Sequence, residues 1–244
     1  MKPSVTVCIP TYNGAAYLAA CLHSVSAQTF SNFEVVVVDD CSSDESASIA
    51  KSYAQRDSRI RVLVNDATLG LVGNRNRCVQ LSQGEWVKFV FQDDIILPDC
   101  LTEMLATAAR TQMPIVTCAR DFIFEPGSSS EDRQFYREHR ARVEAIYRGS
   151  AQRSARQCSE TALRWIGGNG LVSPPRCSCV ARSSRRMDGS IRGCTVLAIS
   201  STAFGSHQIR GRRIVRTRWR CFECIERPAA RATSRRPDRA IMSR

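Results

Sequence analysis

The sequence contains no uninterrupted run of about eighteen apolar residues, the length that a helix needs to cross a bilayer. It also lacks the apolar core of a secretory signal peptide, because Met1–Val5 leads directly into a predicted strand. Histidine is scarce, and His23, His139 and His207 have no metal-ligand spacing. We therefore expect a cytoplasmic protein with reduced thiols, either free or attached peripherally at the inner face of a membrane.

Signature motifs of three common enzyme classes are missing as well. The first strand–turn–helix segment has no Gly-x-Gly-x-x-Gly fingerprint for dinucleotides, and no phosphate loop with Gly-Lys-Ser/Thr occurs. The Gly-x-Ser-x-Gly elbow that presents a nucleophilic serine after a strand is also absent. These absences argue against a dehydrogenase, a nucleoside triphosphatase and a serine hydrolase.

The positive charge is confined to one end of the chain. Residues 1–170 hold 18 Lys and Arg against 19 Asp and Glu, whereas residues 171–244 hold 17 Arg, no Lys and four acids. The net charge of +12 therefore belongs to the C-terminal part of the 244 residues. The chain is long enough for one large α/β domain or two small ones, and its two parts differ in composition.

Strand and helix patterns alternate in the first half of the chain. Runs rich in Val, Ile and Phe predict strands, and apolar residues at helical spacing predict helices between them. This alternation is typical of a mostly parallel sheet with helices on both faces. The predicted strands are 4–9, 33–38, 61–65, one from 86, and 114–119, and the predicted helices are 15–27, 46–56, one ending at 81, 101–110, 131–147 and 158–166.

Two of these strands end in a pair of adjacent aspartates, Asp39-Asp40 and Asp93-Asp94. Ligands of open α/β sheets lie outside the carboxyl ends of the strands. Adjacent acids repel each other unless a cation neutralises them, and Mg²⁺ held by carboxylates and substrate phosphates would do so. The alternative is that Asp93 or Asp94 caps the helix after Pro98 or simply ends a strand. Two such pairs favour a shared polyanionic ligand.

Several short segments occur in a characteristic order along the first 120 residues. They are Val7–Asn13 (Val-Cys-Ile-Pro-Thr-Tyr-Asn), 26–30, 33–40, Asn74-Arg75-Asn76 and 84–99. Each segment is a weak signal, but the ordered set resembles glycosyltransferase family 2, whose members have the GT-A fold. The resemblance implies a Rossmann-like nucleotide-sugar-binding domain over 1–125 and a helical continuation toward the acceptor region over 126–170. Residues 171–244 have no sustained helical or strand period, and we expect them to form an irregular or disordered basic tail that is not a native domain of the family.

The resemblance also implies an activity. Members transfer a sugar from a nucleoside diphosphate, here of the UDP or dTDP type, to a saccharide or lipid-linked acceptor with inversion at the anomeric carbon. Polysaccharide or cell-envelope biosynthesis is the expected context. A divalent cofactor, Mg²⁺ or Mn²⁺, neutralises the charge that develops on the leaving diphosphate.

The same resemblance implies roles for individual residues. Asp93 and Asp94 correspond to the metal motif, with Asp94 the direct ligand, although Phe91 stands where many members have the first aspartate. Asp40 is expected near the ribose or uracil, and Thr11 and Tyr12 are expected to line the base pocket, although an aromatic wedge between loop and helix is an alternative for Tyr12. Asn76 falls in the helix on the nucleotide side, where a structural role is the alternative. The full set of nucleotide-sugar-binding candidates is Pro10, Thr11, Tyr12, Asn13, Asp39, Asp40, Asn76 and Asp93.

Transfer in this family also requires a carboxylate base that deprotonates the acceptor hydroxyl. In many members this base belongs to a Glu-Asp pair near an aromatic-rich helix. None of the four acids of the tail stands in such a setting, and Asp188 is only a remote candidate. The base is therefore unassigned, and donor binding is predicted more strongly than turnover.

The tail over 171–244 is open to four interpretations. It is compatible with a basic arm for nucleic acid or an anionic surface, which is the alternative function. It is also compatible with a disordered segment. A zinc module is disfavoured because the cysteine pairs lack the spacing of zinc ligands; these are Cys177, Cys179, Cys221 and Cys224. We favour a reading frame shifted at about residues 165–175, because Arg, Ser, Cys and Pro without Lys are what a GC-rich gene yields out of frame.

Overall fold

The structure is a computed structural model that describes residues 2–112, 115–147, 152–153, 179–182 and 217–225. Its N-terminal part contains four parallel strands, which lie side by side in the order β3-β2-β1-β4. They are β1 (Val5–Thr11), β2 (Phe33–Asp39), β3 (Ile60–Val64) and β4 (Trp86–Phe89). Both β1 and β2 are buried over their whole length, which explains their nearly continuous apolar sequences.

Helices cover both faces of this parallel sheet, as the sequence predicts. They are α1 (Ala15–Ser26), α2 (Ser46–Ala54), α3 (Gly70–Leu81) and α4 (Cys100–Thr111). Neighbouring residues of a strand point to opposite faces. Val7 packs in one apolar cluster with Leu22 of α1 and Leu101 of α4. Cys8 packs in the other cluster with Cys78 of α3.

The remaining described strands extend the sheet beyond β4 and make it mixed. They are β5 (Asp94–Ile96), β6 (Ile115–Phe122), β7 (Gln152–Arg153), β8 (Cys179–Arg182) and β9 (Thr217–Ile225), and helix α5 (Ser130–Tyr147) follows β6. The order across the sheet is β3-β2-β1-β4-β8-β6-β9-β5, with β7 paired to β9. The pairs of β8 with β4 and β6, and of β6 with β9, are antiparallel.

The predicted mostly parallel α/β sheet is confirmed for the first part of the chain. The predicted elements up to residue 122 are present with ends that differ by a few residues, and β5 is too short for a periodic signal. The predicted helix over 158–166 lies outside the described residues. Of the tail, 179–182 and 217–225 are strands, and the rest of 171–244 is outside the described part. The predicted irregularity of that rest and the three-part domain division remain predictions.

The helices and the cysteines of the described residues were also the subject of expectations from composition. Within the described ranges, no helix has both the length and the apolar character needed to cross a membrane. The six cysteines whose side chains are described are free thiols.

Candidate functional site

The two aspartate pairs lie at the same edge of the sheet. Thr11 at the end of β1 is in register with Asp39 at the end of β2. After β4 ends, the chain continues beside β1, because the backbone N–H of Val90 donates to the carbonyl of Cys8 at 3.0 Å. Since β1, β2 and β4 are parallel, the loops that follow them meet at their carboxyl ends. This edge is the candidate site.

Asp39 is buried, and its carboxylate holds the loop that follows β2. The backbone N–H of Ser42 donates to Oδ2 at 2.9 Å, and the Ser42 hydroxyl donates to Oδ1 at 2.6 Å. Cys41, between them, has a φ of 57° in the left-handed region. The two hydrogen bonds offset this unfavourable backbone conformation and fix the tight turn.

Asp40 is buried, with 2% of its surface exposed, and its carboxylate accepts three hydrogen bonds from within the protein. Oδ1 accepts from Asn65 Nδ2 at 2.7 Å and from the backbone N–H of Leu69 at 2.8 Å, and Oδ2 accepts from the backbone N–H of Gly70 at 2.9 Å. Leu69, the N-cap of α3, makes no capping bond with its own side chain. Asp40, which is about 30 residues away in the sequence, therefore caps the N-terminus of α3. A carboxylate has about four acceptor sites, so about one site of Asp40 is left for a ligand.

Asn74 connects the ends of β1 and β2 from the face that α3 covers. Its Nδ2 lies 2.9 Å from the carbonyl oxygen of Val38 and 3.3 Å from that of Thr11, and its Oδ1 accepts from Asn65 at 3.1 Å. Asn74 is 3% exposed, whereas Asn76, the residue singled out from the sequence, is exposed. The predicted role of Asn76 toward a nucleotide stays a prediction, and the structural support comes from Asn74.

The loop between β1 and α1 presents one aromatic side chain to solvent. Pro10 and Thr11 are buried, whereas Tyr12 is 52% exposed. This exposure argues against a Tyr12 ring wedged between loop and helix. Asn13 has a φ of 46°. Its backbone N–H donates to Ser42 Oγ at 3.0 Å, so the loop is tied to the turn that Asp39 holds.

Asp93 lies in the turn between β4 and β5, and Asp94 is the first residue of β5. Asp94 is 3% exposed, its backbone N–H donates to the carbonyl of Phe91 at 2.9 Å, and its Oδ2 accepts from the backbone N–H of Phe91 at 3.3 Å. Asp93 is half-buried. The N-cap of α4 is Asp99, so the alternative that Asp93 or Asp94 caps this helix is wrong. The side chain of Asp94 thus closes the turn that contains Asp93.

Both carboxylates act on a thiol beneath the turn. Cys21 of α1 donates from Sγ to the carbonyl of Phe91 at 3.3 Å. Burial raises the pKa of Cys21 well above its ordinary value, and the negative charges of Asp94 and then Asp93 raise it further. The thiol therefore stays protonated, and the turn carries a negative potential that a cation would neutralise.

The residues present fit a divalent ion that shares its ligands with a substrate. Among the residues that the structure describes, no three His, Cys, Asp or Glu side chains are grouped closely enough to hold a metal by themselves. Mg²⁺ is usually held by one or two carboxylates, several waters and substrate phosphates. Asp93 and Asp94 provide two carboxylates, and the chemistry of the pair is therefore compatible with Mg²⁺ or Mn²⁺ bound together with a diphosphate.

Sequence reasoning did not single out Asn65, Asn74 or Gln92 at this edge. Asn74 carried a usable signal, because Cys78 lies one helical turn further along the same buried side of α3. Asn65 and Gln92 carried none, since their partners Asp40 and Tyr12 are 25 and 80 residues away in the chain. Only the pairing of the parallel strands brings these partners together.

Comparison with known proteins identifies the family. The model described as glycosyl transferase family 2 matches residues 6–177. MT1568 of Mycobacterium tuberculosis, an uncharacterized protein, is 36% identical over 147 residues, which are 60% of this chain and 43% of that protein. EpsJ of Bacillus subtilis, an uncharacterized glycosyltransferase, is 35% identical over 118 residues, which are 48% of this chain and 34% of that protein.

A solved structure is also similar to part of the chain. The crystal structure of S. aureus TarS 1-349 in complex with UDP-GlcNAc is 34% identical, with a TM-score of 0.44, over 47% of this chain and 33% of that one. This chain covers less than half the length of each of these three proteins. The family model, however, matches more than half of this chain, and the protein belongs to glycosyl transferase family 2.

Proposed function

We propose that this protein binds a nucleoside-diphosphate sugar of the UDP or dTDP type at the carboxyl edge of β1, β2 and β4. Membership in glycosyl transferase family 2 supports this proposal. The proposed family reaction is transfer of the sugar, with inversion, to a saccharide or lipid-linked acceptor during polysaccharide or cell-envelope biosynthesis. We place it in the cytoplasm, free or peripheral at the inner face of a membrane.

The observation that carries the proposal is the meeting of two aspartate pairs beside an exposed aromatic ring. Asp39 ends β2 and Asp40 follows it, Asp93 and Asp94 come after β4, and Tyr12 follows β1, the strand between them. A nucleoside diphosphate has an aromatic base at one end and an anionic diphosphate at the other. The Tyr12 ring offers a surface for stacking the base, which is a sequence-tolerant interaction of bases with aromatic side chains.

In the proposed complex, Asp93 and Asp94 hold a divalent ion at the diphosphate. When bound, Mg²⁺ or Mn²⁺ would neutralise the charge on the leaving nucleoside diphosphate. Asp94 is ordered by its contacts with the backbone of Phe91, whereas Asp93 is more exposed. Pro10, Thr11 and Asn13 shape the loop that carries Tyr12. The free acceptor capacity of Asp40 faces the ribose or base in this proposal.

Turnover requires a carboxylate that takes the proton from the attacking acceptor hydroxyl. Asp188, the remote candidate from the sequence, lies outside the described residues. We assign no general base. Donor binding is therefore the activity that we propose for this chain, and transfer is the activity that we propose for the family.

A UDP titration with Mn²⁺ or Mg²⁺ tests the proposal. Calorimetry on the wild type should detect metal-dependent UDP binding, and the double variant Asp93→Ala/Asp94→Ala should lose the metal dependence. Glu103→Ala, which removes an exposed carboxylate from α4, is the control and should bind as the wild type does. Metal-dependent UDP binding that persists in the double variant would contradict the assignment of Asp93 and Asp94.

We further propose that the tail is translated in a shifted frame. The family match ends at residue 177, close to the start of the Lys-free tail at 171. The test is to read the coding DNA around codons 160–180 in the other two frames. One of them should encode an acceptor-half pattern with a Glu-Asp pair near an aromatic helix, and the absence of such a pattern from both frames refutes the shift.

The 17 arginines of the tail favour a second candidate function, binding to nucleic acid or another anionic surface. A DNA titration at increasing salt separates this candidate from the first. DNA binding that weakens with salt and disappears on removal of 171–244 would assign this activity to the tail. Salt-sensitive binding that survives the truncation would contradict our account of the charge.

A further inference from the structure

The side-chain amide of Gln92 makes two hydrogen bonds with the backbone of Tyr12. The backbone N–H of Tyr12 donates to Gln92 Oε1 at 2.8 Å, and Gln92 Nε2 donates to the carbonyl oxygen of Tyr12 at 3.1 Å. The amide therefore pairs with Tyr12 much as a neighbouring strand would. Because Gln92 precedes Asp93 directly, this pair connects the loop after β1 with the turn after β4.

Gly14 leaves the space that Gln92 occupies. A Cβ atom at position 14 would lie 2.3 Å from Gln92 Cδ, 2.4 Å from Oε1 and 2.7 Å from Nε2. The backbone of Gly14, with φ −114° and ψ 14°, does not require glycine. The three nearest atoms all belong to the Gln92 amide, so the absence of a side chain at position 14 makes room for this amide beside Tyr12.

The other side of the same loop is anchored independently. Asn13 donates its backbone N–H to Ser42 Oγ at 3.0 Å and accepts from the backbone N–H of Ser43 at 2.9 Å. Ser42 in turn is bonded to Asp39. The loop that carries Tyr12 is thus held between the turn after β2 and the turn after β4, and Gln92 makes the second of these connections.

We propose that Gln92 is a positioning residue that couples nucleotide binding at Tyr12 to divalent-ion binding at Asp93 and Asp94. This inference rests on the proposed function. In the proposed complex the base contacts the Tyr12 ring and the ion contacts the carboxylates, and the two Gln92 hydrogen bonds keep these half-sites in one relative position. Because the ion lies at the diphosphate in that complex, UDP and Mn²⁺ each increase the affinity of the other by the same factor, and Gln92 increases this factor by keeping the two half-sites in position.

Two variants remove the Gln92 contact in different ways. Gln92→Ala deletes the amide. Gly14→Ala places a methyl group where the amide lies, and the fold should tolerate it because only the end of a flexible side chain has to move. If both variants act through the same contact, the double variant Gly14→Ala/Gln92→Ala should be no weaker than either single variant, since contacts that act as a unit are not additive.

The measurement is the factor by which Mn²⁺ increases UDP affinity in the full chain, determined by calorimetry with and without the ion. We expect Gln92→Ala and Gly14→Ala each to reduce this factor about tenfold, the effect of losing roughly 1.4 kcal/mol from two hydrogen bonds. Amide hydrogen exchange at Tyr12 should accelerate in both variants, because its N–H loses its acceptor. Thermal unfolding checks that the variants remain folded.

Gln80→Ala, which removes an exposed glutamine amide from α3, is the matched control and should keep the wild-type factor. A factor that stays within about twofold of wild type in Gln92→Ala overturns the inference while leaving the proposed function intact. Strictly additive losses in the double variant also overturn it, because the two residues would then act separately. A wild type that binds no UDP refutes the proposed function, and the inference with it.

Discussion

Asn65 donates a 2.7 Å hydrogen bond from Nδ2 to Asp40 Oδ1, which joins the ends of β2 and β3 at the candidate site. The same Nδ2 group also donates to Asn74 Oδ1 at 3.1 Å. Asp40 is therefore a structural support for two strand ends and for the start of α3, in addition to its proposed contact with a nucleotide. Variants at this position should change stability as well as ligand affinity.

Asp40→Asn should destabilise the fold by about 1–3 kcal/mol, because an amide replaces one carboxylate oxygen with a donor and leaves a buried N–H without its acceptor. Urea-induced unfolding followed by circular dichroism measures the change. Asp66→Asn, which makes the same substitution at an exposed position after β3, should stay within about 0.5 kcal/mol of wild type. Equal stability of both variants would contradict the capping role of Asp40.

Asn74→Ala should also cost about 1–3 kcal/mol of unfolding free energy, since it removes the buried Nδ2 donor to the carbonyl groups of Thr11 and Val38 and the Oδ1 acceptor of Asn65. Asn76→Ala should change stability by less than about 0.5 kcal/mol because Asn76 is exposed. Measuring UDP affinity distinguishes a structural role of the Asn76 side chain from a role in contacting the nucleotide. A weaker affinity in Asn76→Ala at unchanged stability supports the predicted nucleotide contact, and unchanged affinity removes it.

Gly70→Ala should destabilise the protein by about 1–2 kcal/mol, because the residue has a φ of +72° that disfavours a Cβ atom. Apart from its chain neighbours and the nearby backbone of α3, no atom lies within 4 Å of the position that this Cβ would take, so the cost is conformational. Gly70→Asn should cost less, since asparagine tolerates this region better. Thermal unfolding of the three proteins checks the order, and an asparagine variant less stable than the alanine variant would contradict it.

Cys100 should titrate well below an ordinary thiol. A hydrogen bond from Cys118 lowers the pKa of Cys100 to about 6, burial opposes this effect, and the Lys88 ammonium supports it. Lys88 Nζ lies 3.6 Å from Cys118 Sγ in the core. Because the folded pKa lies below the ordinary value of 9.0, the thiolate stabilises the fold above pH 9.0, and this contribution is lost as the pH falls through about 6.

The stability advantage of wild type over Cys100→Ser should therefore grow as the pH rises from about 6 to 9.0. Urea unfolding at several pH values measures this advantage, and thiolate absorbance in the ultraviolet follows the titration itself. Cys41→Ser should leave the titration step near pH 6 in place, because Cys41 bonds instead to the carbonyl of Asn65. A constant advantage across this pH range would show that Cys100 is not a thiolate in the fold.

Much of the fold could be predicted from local sequence patterns. The valine run of β2 indicates a strand buried on both faces, and the apolar spacing in 15–27 matches α1. The short strand β5 and the strands β8 and β9 could not be predicted in this way. Their sequences have no sustained period, and their pairing partners lie far away in the chain.

The sequence by itself determined the alternation of strands and helices, the placement of aspartate pairs at the carboxyl end of β2 and after β4, and the resemblance to a glycosyltransferase family that the family match confirms. These features are local, since periodicity and short motifs depend on neighbouring residues. Only the tertiary structure decided which polar groups support the site. Asp40 caps α3, Asn74 joins two strand ends, and Gln92 pairs with Tyr12, because parallel pairing brings distant loops to one edge, where buried polar groups need partners.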